Sequence, residues 1–411
     1  MTTTTAPGPV RTAVSADRPS QRYRIESIDL LRGAVMIIMA IDHCRDHLLK
    51  GNPRPLNMAT TTPILFFTRW ITHFCAPVFV LLSGVSVSLA AARRTRGQLT
   101  SLLITRGLWL VLVEVLLISG GASLDPGLHI IILQVIWVIG VSMLLLGLLI
   151  RLRVSRLVIG IIGAIILVGH NVFDHGSLMK GGFIWGLLVS TKGFDFSTVL
   201  RLPGHHMVLV IYSLLPWTAV MLLGYAMGPI YSEGFDAARR RRLLYGAGLS
   251  FTAAFIILRA FNLYGDPAPW SVQKNEMYTF MSFLNVTKYP SSLLYSLMTL
   301  GPALIALAMA ERVRNRFTAA IVAYGNVPFF YYVIHWYVIG AITISLFYLQ
   351  GFHSSQAAMP GAIFHFDPPG FGLSLAGVYV VWMIVIAVMY RPVQWFSSYK
   401  RRNRKWWLSY V

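Results

Sequence analysis

The residues best suited to chemistry lie near the end of the first apolar segment. Residues 42–47, DHCRDH, crowd two carboxylates, two imidazoles and a guanidinium into six positions. On a helix, His43 lies one turn before Asp46, and Asp42 lies one turn before Arg45. A histidine that a carboxylate orients is suited to act as a general base or a nucleophile. The spacing predicts a catalytic His43 oriented by Asp46 or Asp42; the alternative is a hydrogen-bonded helix end at the membrane interface.

A second polar pair stands at the start of the next apolar segment. Arg69 and His73 are one helical turn apart within the stretch TRWITHFCAP. If the first two segments are antiparallel helices, this pair lies level with His43. Arg69, or Arg45, is then placed to stabilise a developing oxyanion, and His73 is the second candidate for the catalytic histidine. An arginine anchored at the membrane interface is the other interpretation of Arg69.

A metal site is a weaker interpretation of the same residues. His43 and His47 stand at i and i+4, and His73 could join them. The HExxH pattern is missing, however, and Arg45 would repel a cation. P-loop, dinucleotide-binding and GxSxG motifs are also missing. We therefore expect no metal and no nucleotide-driven pump.

Polar residues continue along the first segment toward its start. Asp29 and Arg32 share a helical face with His43, and Asp29 and His43 are about 21 Å apart along the axis at the helical rise. Ionisable groups inside a membrane span are costly and usually face a cavity. The stripe predicts a water-accessible tunnel beside this helix.

The elements that must position these groups are membrane-spanning helices. Of 411 residues, 56% are hydrophobic and 12% are charged, which excludes an ordinary soluble enzyme and a disordered protein. Repeated apolar runs of about 20 residues predict an all-α polytopic membrane protein. Ten spans are expected, near 29–49, 70–92, 101–120, 129–150, 157–173, 207–231, 243–263, 290–310, 320–349 and 371–391. The ninth is either one long span or a broken one, because Gly325 and Pro328 stand near its start.

The charge distribution predicts the orientation. The net charge is +20, and most of the 35 Lys and Arg fall in every second connection between spans. This pattern places both termini in the cytoplasm, with the basic clusters touching anionic lipid and not nucleic acid. We divide the chain into a disordered cytoplasmic tail (1–23), a transmembrane domain (24–396) and a basic cytoplasmic tail (397–411). The two cysteines indicate no disulfide framework.

Three polar residues stand beside or within later spans. Lys288 precedes Pro290, and Asn326 precedes Pro328. His335 lies inside a strongly apolar run, where a histidine either lines a cavity or packs in the core. Glu114 is buried in the third span, where an arginine could pair with it, and we assign it no role.

Four stretches resemble one known family. They are RIESIDLLRG with the following DHCRD, then TRWITHFCAP, TKYPSSLLY and YGNVPFFYYVIH, in order between residues 24 and 336. These stretches resemble the heparan-alpha-glucosaminide N-acetyltransferase catalytic-domain-like family of bacterial membrane proteins, within the transmembrane acyltransferase superfamily. The resemblance implies an enzyme that takes acetyl from cytosolic acetyl-CoA and delivers it to a glucosamine amine across the membrane.

The resemblance carries over to some residues only. Its Asp-x-x-Arg-Gly motif matches Asp29, Arg32 and Gly33, its polar asparagine falls at His43, and its later histidine matches His335. The proposed catalytic histidine of the lysosomal relative precedes the second span, in a loop that lacks histidine here. The catalytic role therefore rests on His43 and then His73 on chemical grounds.

These observations predict an acetyl-CoA-dependent N- or O-acyltransferase of the bacterial inner membrane, with a sugar, glycan or glycolipid acceptor and a homodimer as one possible assembly. The predicted cofactor-binding residues are Asp29, Arg32, Lys288, Asn326 and His335. Two other classes stay open: a transporter or channel that uses the same polar stripe, and a structural protein of the envelope. The first would move solute without consuming CoA.

Overall fold

The computed structural model describes residues 26–175, 182–189, 199–358, 363–403 and 405–409. The predicted tail 1–23 and the last two residues of the basic tail lie outside the described residues. The α-helices are α1 (Glu26–Leu48), α2 (Pro63–Thr72), α3 (Cys75–Ala91), α4 (Arg96–Val113), α5 (Ser119–Ser123), α6 (Val135–Arg151), α7 (Arg156–Gly169), α8 (Phe183–Leu188), α9 (Leu214–Met227), α10 (Ala237–Ala260), α11 (Glu276–Leu284), α12 (Leu293–Ala310), α13 (Arg316–Asn326), α14 (Pro328–Leu349) and α15 (Leu375–Arg402). The strands are β1 (Ile130–Leu133), β2 (Leu200–Leu202) and β3 (His206–Val210).

The protein is an all-α polytopic membrane protein, as the sequence predicts. Within the described residues, eight helical segments are long and apolar enough to cross a membrane, and each coincides with a predicted span. The predicted first and fourth spans are not among the eight. The fourth corresponds to α6, which has 17 residues. The first corresponds to α1, whose 23 residues carry acidic and basic groups near both ends.

Helix starts follow from local side-chain chemistry. A hydroxyl, amide or carboxylate side chain before the first turn accepts a backbone N–H that would otherwise lack a partner. These N-cap residues are Thr62, Thr95, Ser155, Asp236, Asn275, Ser292, Asn315 and Ser374. The caps fix where the spans begin and so set the depth of the residues that follow.

The central element is α1, which contacts α2, α3, α12, α13, α14 and α15. Its closest crossing is with α13, where Gly33 faces Gly325. A Cβ atom at Gly33 would overlap the Ile321 carbonyl oxygen, and one at Gly325 would overlap the Asp29 carbonyl oxygen. Small residues at such crossings let helix backbones approach each other in membranes. The charged helix is therefore enclosed by other helices.

Two predicted spans begin as strands instead of helices. The sequence predicts helix over residues 129–134 and 207–210, but β1 pairs parallel with β3 from Ile130 and Met207 onward, and β2 pairs antiparallel with β3. The β-branched run of β1 favours a strand. Glu114 in a π-helical turn accepts the backbone N–H groups of Gln134 and Trp137 at 2.9 and 3.2 Å. It caps α6, and no arginine of the described ranges forms an ion pair with it.

The ninth span is broken and the second is interrupted over two residues. Helix α13 ends at Asn326 and α14 begins at Pro328, so Val327 alone separates them. Proline at the first helical position lacks only an N–H that would be unpaired there anyway. Helix α2 ends at Thr72 and α3 begins at Cys75. Both interruptions lie against α1, where the polar residues gather.

Candidate functional site

The basic connections meet at one end of the helix bundle. Glu26, at the start of α1, pairs with Arg314 at 3.0 Å, and Arg240 pairs with Glu311 at 2.5 Å. We call this end the basic side and the other end the far side. Helix α1 begins on the basic side, so Asp29 lies near that side and the 42–47 cluster lies near the far side.

A cavity of about 430 Å³ lies at the far side. Its polar lining comes from α1, the connection between α1 and α2, α2 itself, the residue before α6, the connection before α12 and the chain after β3. The residues that concern the chemistry are Asp42, His43, Asp46, Arg69, Lys288 and Tyr289. The structure thus brings together four of the five predicted catalytic residues, because antiparallel α1 and α2 present them to the same space.

Ion pairs organise the charged part of this lining. Arg45 bridges two carboxylates, with Nη1 at 2.8 Å from Asp42 and Nη2 at 2.5 Å from Asp46. The Arg69 guanidinium pairs with the other oxygen of Asp42. Both arginines are nearly buried, so these pairs are screened little by solvent. The two carboxylates are held by arginine, which differs from the expected pairing of Asp46 with His43.

The partner of His43 is a second histidine. His43 Nδ1 lies 2.7 Å from His335 Nε2, and His335 Nδ1 lies 3.1 Å from the Tyr331 carbonyl oxygen. A carbonyl only accepts, so His335 Nδ1 carries a proton. Neutral His335 then accepts at Nε2, so His43 Nδ1 must donate. In a neutral His43 the remaining nitrogen, Nε2, is left unprotonated and basic.

Aromatic packing fixes the plane of this imidazole. The ring of His43 stacks on Trp336 with centroids 3.8 Å apart and planes 18° apart. His335 is fully buried beneath it. The hydrogen bond and the stack together restrict rotation of His43, which is the requirement for a positioned base.

His73 does not join the cavity lining. Its side chain is fully buried and meets the Tyr295 ring edge-on at 5.5 Å. The helix is interrupted between Thr72 and Cys75, but the backbone of His73 stays in the helical region and its side chain is enclosed by protein. His43 is the predicted catalytic histidine that lines the space.

A second cavity, of about 240 Å³, opens toward the basic side. Arg32, Arg106, Asn326 and Lys400 line it beside apolar residues of α4 and α6. Arg32 pairs with Asp29 at 3.3 Å and donates to the Ser86 hydroxyl at 3.1 Å. The lining combines fixed cations with an apolar wall.

The five predicted cofactor-binding residues are therefore divided. Asp29, Arg32 and Asn326 lie around the basic-side cavity, whereas Lys288 and His335 belong to the far-side group. They therefore do not form one site: Arg32 and Asn326 line one cavity, and Lys288 lines the other.

One wall separates the two cavities. Phe79, Val135 and Tyr332 line both of them. In place of the predicted continuous tunnel beside α1, the structure has two cavities divided by these three residues. Arg32 of the predicted stripe lines one, and His43 lines the other. Gly33 is instead used for helix packing.

Sequence reasoning missed two groups of this site. Tyr289 lines the far-side cavity, and Arg106 lines the basic-side cavity. From sequence, Arg106 is only one of the basic residues that predict the orientation of the spans, although it lies inside the predicted span 101–120. Tyr289 lies between Lys288 and Pro290, in one of the stretches that carry the resemblance. A charge inside a span and a tyrosine beside a buried lysine were the available signals.

The electrostatic setting of Tyr289 is unusual. Burial alone would raise the pKa of this phenol, but the positive charges of Lys288 and Arg69 outweigh burial and lower it below the ordinary value. The metal interpretation needs several ligands that converge on one point. Within the described ranges, no three His, Cys, Asp or Glu residues are arranged to hold a metal ion.

The fold and the two cavities define an integral membrane protein that buries ionisable side chains around two adjoining cavities. The family model described as heparan-alpha-glucosaminide N-acetyltransferase, catalytic, matches residues 24–257, more than half of the chain, and the chain belongs to this family. The family resemblance predicted from the sequence is confirmed, and membership places the protein among multi-pass membrane acetyltransferases. The match includes the 42–47 cluster and Arg69 and ends before Lys288. No curated protein matches the chain.

Proposed function

We propose that the protein transfers an acetyl group from acetyl-CoA, bound at the basic side, to an amine or hydroxyl of a sugar-like acceptor at the far side. The observation that carries this proposal is the pair of cavities that share the wall of Phe79, Val135 and Tyr332. A thioester at this wall lies between a donor site and an acceptor site. The acetyl group then crosses while the rest of each substrate stays on its own side.

The basic-side cavity suits the donor. CoA carries phosphates on a long, weakly polar arm that ends in the thioester. Arg32, Arg106 and Lys400 supply positive charge for the phosphates. Leu103 and Met143 belong to an apolar channel wall that suits the arm. Asn326 lies at the break between α13 and α14 and offers an amide to the arm.

The far-side cavity suits the chemistry. The acceptor nitrogen or oxygen attacks the thioester carbonyl while His43 Nε2 takes its proton. The carbon–sulfur bond then breaks, and the departing CoA thiolate takes that proton to become free CoA. A positioned base of this kind contributes typically ~10²–10⁴-fold to the rate. In this scheme His335 holds the tautomer of His43, and the carboxylates organise the arginines.

The sidedness follows from charge. The basic side is assigned to the cytoplasm, where CoA is available, and the membrane is assigned to the bacterial inner membrane. The division into a tail (1–23), a transmembrane domain (24–396) and a basic tail (397–411) is retained, although α15 runs as a helix to Arg402 inside the last part.

The test uses purified protein in detergent with radiolabelled acetyl-CoA and a pool of envelope sugars. We expect label in an acceptor, and a loss of ~10²–10⁴-fold in turnover for His43→Ala. The matched control is His353→Ala, because His353 is exposed on the connection after α14. Full transfer by His43→Ala would defeat the assignment of His43. Solute uptake into liposomes without CoA consumption would favour a transporter instead.

A further inference from the structure

We propose that the hydroxyl of Tyr289 donates a hydrogen bond to the oxyanion that forms when the acceptor adds to the thioester carbonyl. This inference rests on the proposed function. It assigns the stabilisation of the oxyanion to Tyr289, whereas the sequence pattern predicts Arg69 or Arg45 for that role. Tyr289 lies in the connection between α11 and α12, and its half-buried ring lines the far-side cavity. The cavity also contains His43, so one space holds a base and an oxyanion donor.

Three arginines line this cavity; Arg54 is exposed, and the two buried ones are already engaged. Arg45 is shared between Asp42 and Asp46 at 2.8 and 2.5 Å, and Arg69 pairs with Asp42. Carboxylates at these positions offset part of each guanidinium charge and take up some of its donors. An oxyanion would have to compete with Asp42 for Arg69, so a donor outside the ion-pair network is better placed.

The Tyr289 oxygen is surrounded by groups that polarise it. Lys288 and Arg69 bring positive charge to it, and they line the same cavity together with Tyr212. The Lys288 ammonium also lies 5.1 Å from the centre of the Tyr289 ring, and the ring of Tyr212 lies 5.6 Å away. Nearby positive charge draws electron density from the O–H bond of the phenol. The O–H group therefore becomes a stronger donor toward a ligand in the cavity.

Several charged or titratable groups act on this phenol. Lys288 and Arg69 favour its ionisation, and Asp42 opposes it. Tyr212, Tyr295 and Tyr332 approach it from the other packed elements. The lowered pKa agrees with the geometry, because the two cations outweigh the burial and Asp42. A tyrosine in such a setting donates strongly while it stays protonated.

The step balances without a further reactant. The acceptor electron pair forms the new bond to the carbonyl carbon, and the carbonyl π-electrons move to oxygen. Tyr289 keeps its proton and donates only a hydrogen bond to that oxygen. When the electrons return, the carbon–sulfur bond breaks and the thiolate leaves with the proton held by His43.

The first test is Tyr289→Phe, which removes the hydroxyl and keeps the ring. We expect kcat for acetyl transfer to fall by ~10²–10³-fold, with the KM for acetyl-CoA unchanged, because one oxyanion donor is lost. The matched control is Tyr278→Phe. Its hydroxyl donates to the Thr61 carbonyl at 2.9 Å, and Lys274 lies 3.7 Å from its ring centre, so it reproduces the lysine–tyrosine pair away from the cavity.

The second test is the pH profile of kcat, which a purely structural role would not move. The phenol must be protonated, so activity falls as pH rises through the pKa of Tyr289. Lys288→Gln removes a charge that lowers this pKa, so the alkaline limb moves to higher pH. In Tyr289→Phe, kcat should show no fall at alkaline pH. The control Lys274→Gln keeps the wild-type profile.

The outcomes separate the two proposals. Wild-type kcat in Tyr289→Phe overturns the role of Tyr289 while acetyl transfer by the wild type still supports the proposed function. A rise of activity with pH that depends on Tyr289 also overturns the inference, because the phenolate would then act as a base. A wild type that transfers no acetyl defeats the proposed function itself. Thermal unfolding in detergent shows whether Tyr289→Phe is misfolded. If it is, the pH profile of Lys288→Gln decides, and an alkaline limb that does not move to higher pH overturns the role of Tyr289.

Discussion

His43 Nδ1 on α1 and His335 Nε2 on α14 are 2.7 Å apart and share a hydrogen bond. The residues are 292 positions apart in sequence, and the bond forms because α14 packs against the central helix. Since His335 also donates to the Tyr331 carbonyl, the pair fixes which nitrogen of a neutral His43 is basic. We therefore propose that His335 positions His43; its predicted part in cofactor binding stays a prediction.

The first prediction concerns this pair. In His335→Gln we expect kcat to fall by about 10²-fold with little change in the KM for acetyl-CoA, because a small misplacement of a reacting group has a cost of that order. The readout is a double-mutant comparison. His335→Gln should add nothing to the loss already caused by His43→Ala, because the two act as a unit.

His170→Gln is the structural control. His170 is a buried histidine that bonds the Ser291 carbonyl oxygen at 2.7 Å and takes no part in either cavity lining. It should lower thermal stability and leave the pH dependence of kcat unchanged. Independent, additive losses in the His43 and His335 variants would contradict the positioning role.

The second prediction concerns the donor phosphates. Arg106 lines the basic-side cavity, and its Nε is buried without a hydrogen-bond partner in the described part of the chain. Arg106→Gln should raise the KM for acetyl-CoA about tenfold, since a hydrogen bond to a charged group contributes ~1.5–3 kcal/mol. Acetyl-pantetheine lacks the nucleotide phosphates, so its KM should change less. Equal changes for both donors would contradict the assignment, and Arg242→Gln, at an exposed position on α10, serves as control.

The third prediction concerns the crossing of α1 and α13. Gly33→Ala adds a methyl group where the Ile321 carbonyl oxygen already lies, so the helices must separate. We expect the free energy of unfolding to fall by ~1–3 kcal/mol, the usual cost of overpacking, measured by thermal unfolding in detergent. Gly246→Ala on α10 is the matched control, because no atom lies within 4 Å of the position its methyl group would take and alanine favours helices. An unchanged Tm for Gly33→Ala would contradict the close crossing.

The fourth prediction concerns pH and a connection outside the spans. Burial raises the pKa of Asp367 from its ordinary 3.8 to about 6. The folded chain therefore binds more protons than the unfolded chain between these values, and this contribution to stability is lost as pH rises through about 6. Asp367→Asn should raise the Tm at pH 7 and flatten its pH dependence between 4 and 6. An unchanged Tm profile, as expected for exposed Glu233→Gln, would count against a buried Asp367.

The architecture was accessible from sequence because apolar length is a local property. Eight spans and the enclosure of α1 follow from hydropathy and from the cost of charge in lipid. The strands β1 and β3 were missed because a short apolar run looks the same in a strand and in a buried helix. Their pairing joins Ile130 to Met207, which no local pattern reveals.

The sequence predicted which residues meet at the site, but it did not predict which of them bond to each other. The sequence indicated that His43, Asp42 and Arg69 would meet, because two antiparallel helices carry them. The bond from His43 to His335 depends on a helix far along the chain, so the helix spacing alone favoured Asp46 as its partner. The division of the cavity by Tyr332 depends on side-chain packing between several helices.

The most direct test of transfer across the membrane uses sealed proteoliposomes with the protein in one orientation. Radiolabelled acetyl-CoA is supplied on the basic side, the acceptor identified with purified protein is enclosed on the far side, and both products are measured by compartment. We predict free CoA on the basic side and labelled acceptor on the far side, with His43→Ala giving neither above background. Labelled acceptor formed only when both substrates share one compartment would contradict transfer between the two cavities.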